Sequence, residues 1–185
     1  MELPVGPLLL RSARPDDYSA LRALLTDPRL MAYALNDRAF APDEAEEFLR
    51  SGFAGMDDIY GMHVVSEAST DRVIGFSGYR RCQLLGVDDV EFGWVLHAAH
   101  HGRGYATTLG EALIVHGQER LSLKRVLAAC HPANLTSEHV LRDKLHMRFA
   151  REVTVTERSR RVYVKDACGV QDAVVDEMPD ADVTR

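Results

Sequence analysis

Two glycines flanking one arginine, Gly102 and Gly104 in the stretch HHGRGYATTLGEAL (100–113), separate a segment that alternates like a strand from one that repeats like a helix. The strand reads Val90 to Leu96, and the helix Gly104 to Leu121, with Leu109, Ala112, Leu113 and His116 on one side and Glu111, Gln118 and Glu119 opposite. A chain built this way must pass from strand to helix through a turn whose backbone amides can approach an anion, where the helix start adds roughly half a positive charge. The same glycines also suit a plain turn, so the loop needs context. A dinucleotide fingerprint asks for glycine or alanine three residues after Gly104, where Thr107 stands, and for a place after the first strand of a βαβ unit. A Walker loop asks for Gly-Lys-Ser/Thr, and the chain has no such string.

The surrounding pattern supplies that context. Leu8 to Arg14 reads as a strand, and Pro15-Asp16-Asp17 opens a helix with Leu21, Leu24 and Leu25 on one face. Asp27-Pro28 restarts the chain, and Ala41-Pro42-Asp43 opens an acidic helix with Ala45, Phe48 and Leu49 inward. From Tyr60 the period becomes two, through Met62 and Val64, then Val73 to Tyr79, then Val90 to Leu96. After the long helix come a strand Arg125–Cys130, a helix capped by Thr136 or Ser137 and running to Leu145, and strands Phe149–Thr156 and Arg161–Lys165. The order β-α-α-β-β-β-α-β-α-β-β predicts an α/β (α+β) domain, a mixed sheet of about seven strands flanked by helices. The 185 residues suit one domain over 1–168, followed by an acidic tail over 169–185 expected to fray.

Composition narrows the function classes. A net charge of -6 argues against nucleic acid as the main partner. No apolar run approaches the ~20 residues of a membrane span, and the opening MELPVGPLLLRSAR does not read as a signal peptide. Cys82, Cys130 and Cys168 are too widely spaced for a disulfide framework or a zinc site, which suits the cytoplasm. His97, His100 and His101 lack a partnered second ligand pair, so no metal is expected; His100 and His101 are read as flanking phosphates or facing solvent. Cys130 reads as a small buried hydrophobe, because no His-Asp relay is legible near it.

Three blocks carry a resemblance over roughly residues 7 to 165: EFGWVL (91–96), GRGYAT (102–107) and NLTSEHVLRDKLHMRF (134–149). In this order and spacing they resemble the GNAT superfamily of N-acetyltransferases, in particular its ribosomal-protein alanine acetyltransferase (RimJ/RimL-like) branch. They depart from the family at Ala99, where it has Gln or Arg, at Thr108, where it has Glu, and at His146, where it has Gly.

The resemblance implies a mostly antiparallel sheet binding acetyl-coenzyme A and moving its acetyl group to a primary amine by direct attack. It implies cofactor contacts at Val95, Leu96 and His97, along His101, Gly102, Arg103, Gly104, Tyr105, Ala106 and Thr107, and at Asn134 and Ser137. Strand splaying near Val95 to His97 would leave a backbone amide to polarise the thioester carbonyl. Ser137 would protonate the leaving sulfur; as a sequence feature it equally suits a helix cap. Glu91 is the first candidate base, its alternative being a strand carboxylate paired with an arginine, and Glu157 is the second. Phe92 and Trp94 are core or substrate-wall aromatics, and Tyr33 and Tyr60 are candidates for walling the acceptor.

The acceptor is a protein N-terminus or a small-molecule amine, and its chemistry is not encoded between Asp27 and Gly61. The run Asp43, Glu44, Glu46, Glu47 suits a cationic acceptor or a solvated helix face. Family habit is compatible with a homodimer. The rival reading, supported by Ala99, Thr108 and His146, is a catalytically silent acetyl-coenzyme A sensor.

Overall fold

The computed structural model, which describes residues 2–53 and 59–167, contains strands β1 (Glu2–Val5), β2 (Leu8–Arg11), β3 (Gly61–Glu67), β4 (Val73–Cys82), β5 (Asp89–Leu96), β6 (Arg125–Cys130), β7 (Arg148–Val155) and β8 (Arg158–Asp166). The helices are α1 (Tyr18–Leu25), α2 (Pro28–Met31), α3 (Pro42–Ser51), α4 (Tyr105–Glu119) and α5 (Leu135–His139). The strands form one sheet in the order β1-β2-β3-β4-β5-β6-β8-β7. The mixed, mostly antiparallel architecture is as expected, with β1 as an eighth strand and α2 as a short extra helix. β1 is illegible in the pattern because it is a four-residue edge strand carrying Pro4, with only Val5 buried, joined to β2 by a turn in which Gly6 has φ +57°. Cys168 and the tail 169–185 lie outside the described residues. None of the described helices is long and apolar enough to cross a membrane.

Alternation along the strands sorts side chains to two faces. Val90, Phe92, Leu96, Val126, Ala128, Cys130 and Tyr163 face α4, burying Leu109 and Leu113. α4 approaches closely because a Cβ on Gly110 would lie 2.4 Å from Leu145 Cδ1 and one on Gly117 3.0 Å from Val126 Cγ1. The opposite face carries two separate clusters. Val64, Phe76 and Val95 pack under α1 and α3 with Leu21, Leu25, Phe40 and Leu49, whereas Leu127, Val162 and Val164 pack with Leu84 and Leu85.

Between these clusters runs the one parallel pairing among the described strands, β5 with β6, where a helix, α4, connects them. Its register holds only at Glu91↔Leu127, and the two strands then diverge. On its other side β5 pairs with β4 over its whole length, from Gly75↔Leu96 to Cys82↔Asp89. His97 N donates to Ile74 O, which turns the amides of Val95 and His97 toward β4 and those of Trp94 and Leu96 toward the divergence.

The segment after β6 corrects the expected cap. Asn134, not Thr136 or Ser137, caps α5: its Oδ1 accepts from Ser137 N at 3.1 Å. The expected helix to Leu145 is α5 followed by a π-helical turn over Val140–Lys144. His146 then adopts φ +51°, with its side chain exposed. The left-handed conformation is the physical reason that the glycine implied by the family resemblance suits this position. Relieving a strain of about 1–2 kcal/mol outweighs the roughly 0.4–1 kcal/mol of unfolded-state entropy that glycine adds. His146→Gly is therefore expected to raise the melting temperature by a few degrees in a thermal melt; a lower one would mean that the imidazole contributes more than its backbone costs.

Candidate active site

The loop after β5 is preorganised for an anion. Gly102 and Gly104 have φ +73° and +77°, and a Cβ at either would meet nothing within 4 Å. The amides of Gly102 to Thr107 donate to no described residue, and the first helical bond, Thr108 N to Gly104 O, closes only behind them at 3.0 Å. A row of free amides at the start of a 15-residue helix fits a pyrophosphate, with Arg103 exposed alongside.

Three histidines build the turn leading into this loop. His97 Nδ1 accepts from Ala99 N at 3.2 Å, and His101 Nε2 donates to Leu96 O at 2.8 Å, covering one carbonyl of the diverging strand. His100 does not face solvent: it is buried, stacked on Tyr105 at 6.3 Å, with Nδ1 3.7 Å from Glu67 Oε1. Burial first, then the nearby Arg103 charge, lower its pKa, so it is a neutral packing element near pH 7. The family departures leave the cradle intact. Ala99 is exposed in the preceding turn, and Thr108 Oγ1 donates back to Gly104 O at 3.2 Å.

On the other side of the divergence, α5 presents Ser137 half-buried, its hydroxyl bonded to no described residue. The Asn134 cap therefore orders the turn and leaves that hydroxyl available. The neighbouring Glu138 was not legible in the sequence: Tyr163 donates to its Oε1 at 2.7 Å and Arg161 to its Oε2 at 2.8 Å, pinning α5 to β8. The Tyr163 bond, with Arg161, holds the Glu138 carboxyl below its usual range. Cys130, at the end of β6, is buried, and burial pushes its thiol up to about 11, which suits packing rather than nucleophilic attack.

The carboxylates separate sharply. Glu91 is buried at the root of the divergence, with Oε1 accepting from Arg80 Nε at 2.7 Å and from Arg80 Nη2 across the β4–β5 pair. The arginine-paired alternative for Glu91 is thus what the fold contains, while Oε2 carries no bond to a described residue. Glu157 lies exposed at the tip of the β7–β8 hairpin, where it and Thr156 have φ +64° and +46°. The three glutamates of the acidic run are paired: Arg38 binds Glu44 in a fork at 2.7 and 2.6 Å, and Arg22 and Arg50 pair with Glu46 and Glu47. The Arg38 bond pulls the Glu44 pKa to about 2.

Phe92 is core, with the half-buried Trp94 packed on it at 6.0 Å. Tyr33 reaches the turn after β6, 5.1 Å from the His131 ring. Tyr60 is elsewhere, under Arg81 at 4.3 Å and against the α4-side core. Gly102→Val is expected to leave far-ultraviolet circular dichroism unchanged and to weaken coenzyme A binding by calorimetry at least about tenfold. Unchanged affinity would remove the loop from the binding site.

Known proteins share this fold and this family. A family model described as "Acetyltransferase (GNAT) domain" matches residues 7–148. The uncharacterized N-acetyltransferase YnaD of Bacillus subtilis is 25% identical over 148 residues, covering 80% of this chain and 83% of that protein. The fold is similar to that of an acetyltransferase from Agrobacterium tumefaciens, with a TM-score of 0.76 at 22% identity over 90% of this chain and 95% of that one. It is also similar to RimL, a ribosomal alpha-N-protein acetyltransferase solved with coenzyme A, with a TM-score of 0.69 at 17% identity over 90% of this chain and 98% of that one. Acetyl-coenzyme A is the co-substrate of this fold family, and its members transfer acetyl groups to amines. With the family model matching most of its length, the chain belongs to the GNAT acetyltransferase family.

Proposed function

We propose that the protein acetylates an α-amine, at a polypeptide N-terminus or on a small molecule, by direct attack on acetyl-coenzyme A, in the cytoplasm that its cysteine usage suits. The observation that carries this reading is the divergence of β5 from β6, opening between the free loop amides and the free Ser137 hydroxyl. The name of RimL, an alpha-N-protein acetyltransferase, supports the choice of acceptor.

Acetyl-coenzyme A supplies an acyl group already activated as a thioester. The amides of Gly102 to Thr107 and the Arg103 guanidinium hold the pyrophosphate. The Leu96 and Trp94 N–H groups face the gap, where they bind pantetheine and polarise the acyl oxygen. The amine nitrogen attacks the acyl carbon, the carbon–sulfur bond breaks, and Ser137 gives its proton to the sulfur as it leaves. Asn134 keeps Ser137 in place through its cap.

The carboxylates favour an α-amine. With Glu91 Oε1 tied to Arg80, only Oε2 is left to order a water that takes the amine proton. Glu157, exposed on its hairpin tip, is the weaker candidate for the same role. An α-amine of pKa 7.7–8 is neutral about a tenth of the time at pH 7, whereas a lysine amine near 10.4 is neutral roughly once in two thousand, so the former needs less from the base.

The test is thiol release from acetyl-coenzyme A with a panel of unblocked peptides, amino compounds and lysine peptides. Ser137→Ala is expected to lower kcat roughly 10²-fold on the best acceptor while leaving acetyl-coenzyme A affinity within about twofold. Unchanged turnover would remove Ser137 as the proton donor.

A further inference from the structure

Residues 32–40 cross the divergence on the face opposite α4. Both ends are fixed on the α1–α3 side: Met31 and Phe40 are buried in that cluster, and Phe40 N donates to Leu25 O at 3.0 Å. The middle is fixed on the other half of the sheet. Arg160, in β8, donates from Nη1 to Asp37 Oδ2 at 2.9 Å and from Nη2 to Asp37 Oδ1 at 2.7 Å, and Nη2 also reaches Leu35 O at 3.1 Å. Arg160 alternates with Val162 and Val164, which places it on the face of Leu127 rather than of Tyr163. Tyr33 adds the second tie through His131.

Two features distinguish this link from an ordinary surface pair. It is largely buried, with side-chain exposures of 13% for Arg160 and 18% for Asp37. Leu35 also holds φ +50°, a left-handed conformation that costs a leucine about 1–2 kcal/mol, and Asp37 follows at +56°. A forked arginine–carboxylate pair provides both direction and enforcement.

We propose that the Arg160–Asp37 pair is a specificity-determining clamp, holding 32–40 as a strap across the acceptor side of the divergence so that only a slender, extended amine passes beneath it. The inference rests on the acetyl-transfer reading above and adds the shape of the acceptor. A flexible peptide N-terminus or a linear small amine enters; an amine projecting from a bulky folded surface does not. Neither clamp residue takes part in the chemistry.

Asp37→Ala and Arg160→Ala are compared with wild type and with the charge-swapped Asp37→Arg/Arg160→Asp protein. One readout is hydrogen exchange over 32–40. The other is the ratio of kcat/KM for a short unblocked peptide to that for a small folded protein with a blocked N-terminus and exposed lysines. Each single variant is expected to speed exchange in the strap and to lower the ratio about tenfold, with acetyl-coenzyme A affinity unchanged and the swapped pair recovering most of the loss. Faster exchange with an unmoved ratio overturns the specificity role, and unmoved exchange overturns the clamp itself. A wild type that transfers to no amine contradicts the preceding reading and the specificity role with it, while the exchange readout still decides whether the clamp exists.

Discussion

A sheet that pairs fully on one side of β5 and fails on the other organises this molecule. β5 and β6 share only the Glu91↔Leu127 register, although β4–β5 and β6–β8 are regular ladders on either side. The polar groups of Trp94 and Leu96 are therefore turned toward a gap, and an unmet backbone group is expensive to bury, at about 1–3 kcal/mol each. His101 covers the Leu96 carbonyl with a ring nitrogen. The remaining donors suit a ligand with amide and carbonyl groups of its own, and a pantetheine arm has both.

Everything around the gap either holds it open or furnishes it. α4 connects the diverging strands and starts at the glycine loop, so one crossover supplies both the parallel pairing and the anion site. Gly110 and Gly117 let that helix settle deeply enough to bring its N-terminus to the end of β5. On the β6 side, the Glu138 bonds to Tyr163 and Arg161 fix α5, and with it Ser137. The amides of Gly102 to Thr107 stay free with alanine at 99 and threonine at 108, so these side chains leave the loop's main-chain donors as they are. Those departures lend the silent-sensor reading no structural support.

The legible parts of the sequence were those written in local pattern. The period change at Tyr60, the strand Arg125–Cys130 and the turn at Gly102–Gly104 each depend on neighbours in the chain, and each lies where expected. His146 was conspicuous but unexplained until its positive φ gave the reason. What stayed hidden is long-range pairing. Arg80 neutralises Glu91 from the next strand, Arg160 meets Asp37 across 123 positions, and Tyr163 meets Glu138 across 25, and no periodicity encodes such partners. The cap on α5 was misplaced for a different reason: Asn134, Thr136 and Ser137 are all competent caps, and only the backbone path chooses among them.

In this reading the β5–β6 gap and the Gly102–Thr107 amides form one continuous site for acetyl-coenzyme A. Residue-resolved amide hydrogen exchange, with and without acetyl-coenzyme A, tests it most directly. New protection is expected at Trp94, Leu96 and Gly102 to Thr107, with little change at Val95 and His97, whose amides already face β4. Binding that leaves Leu96 and the loop amides unprotected would contradict it.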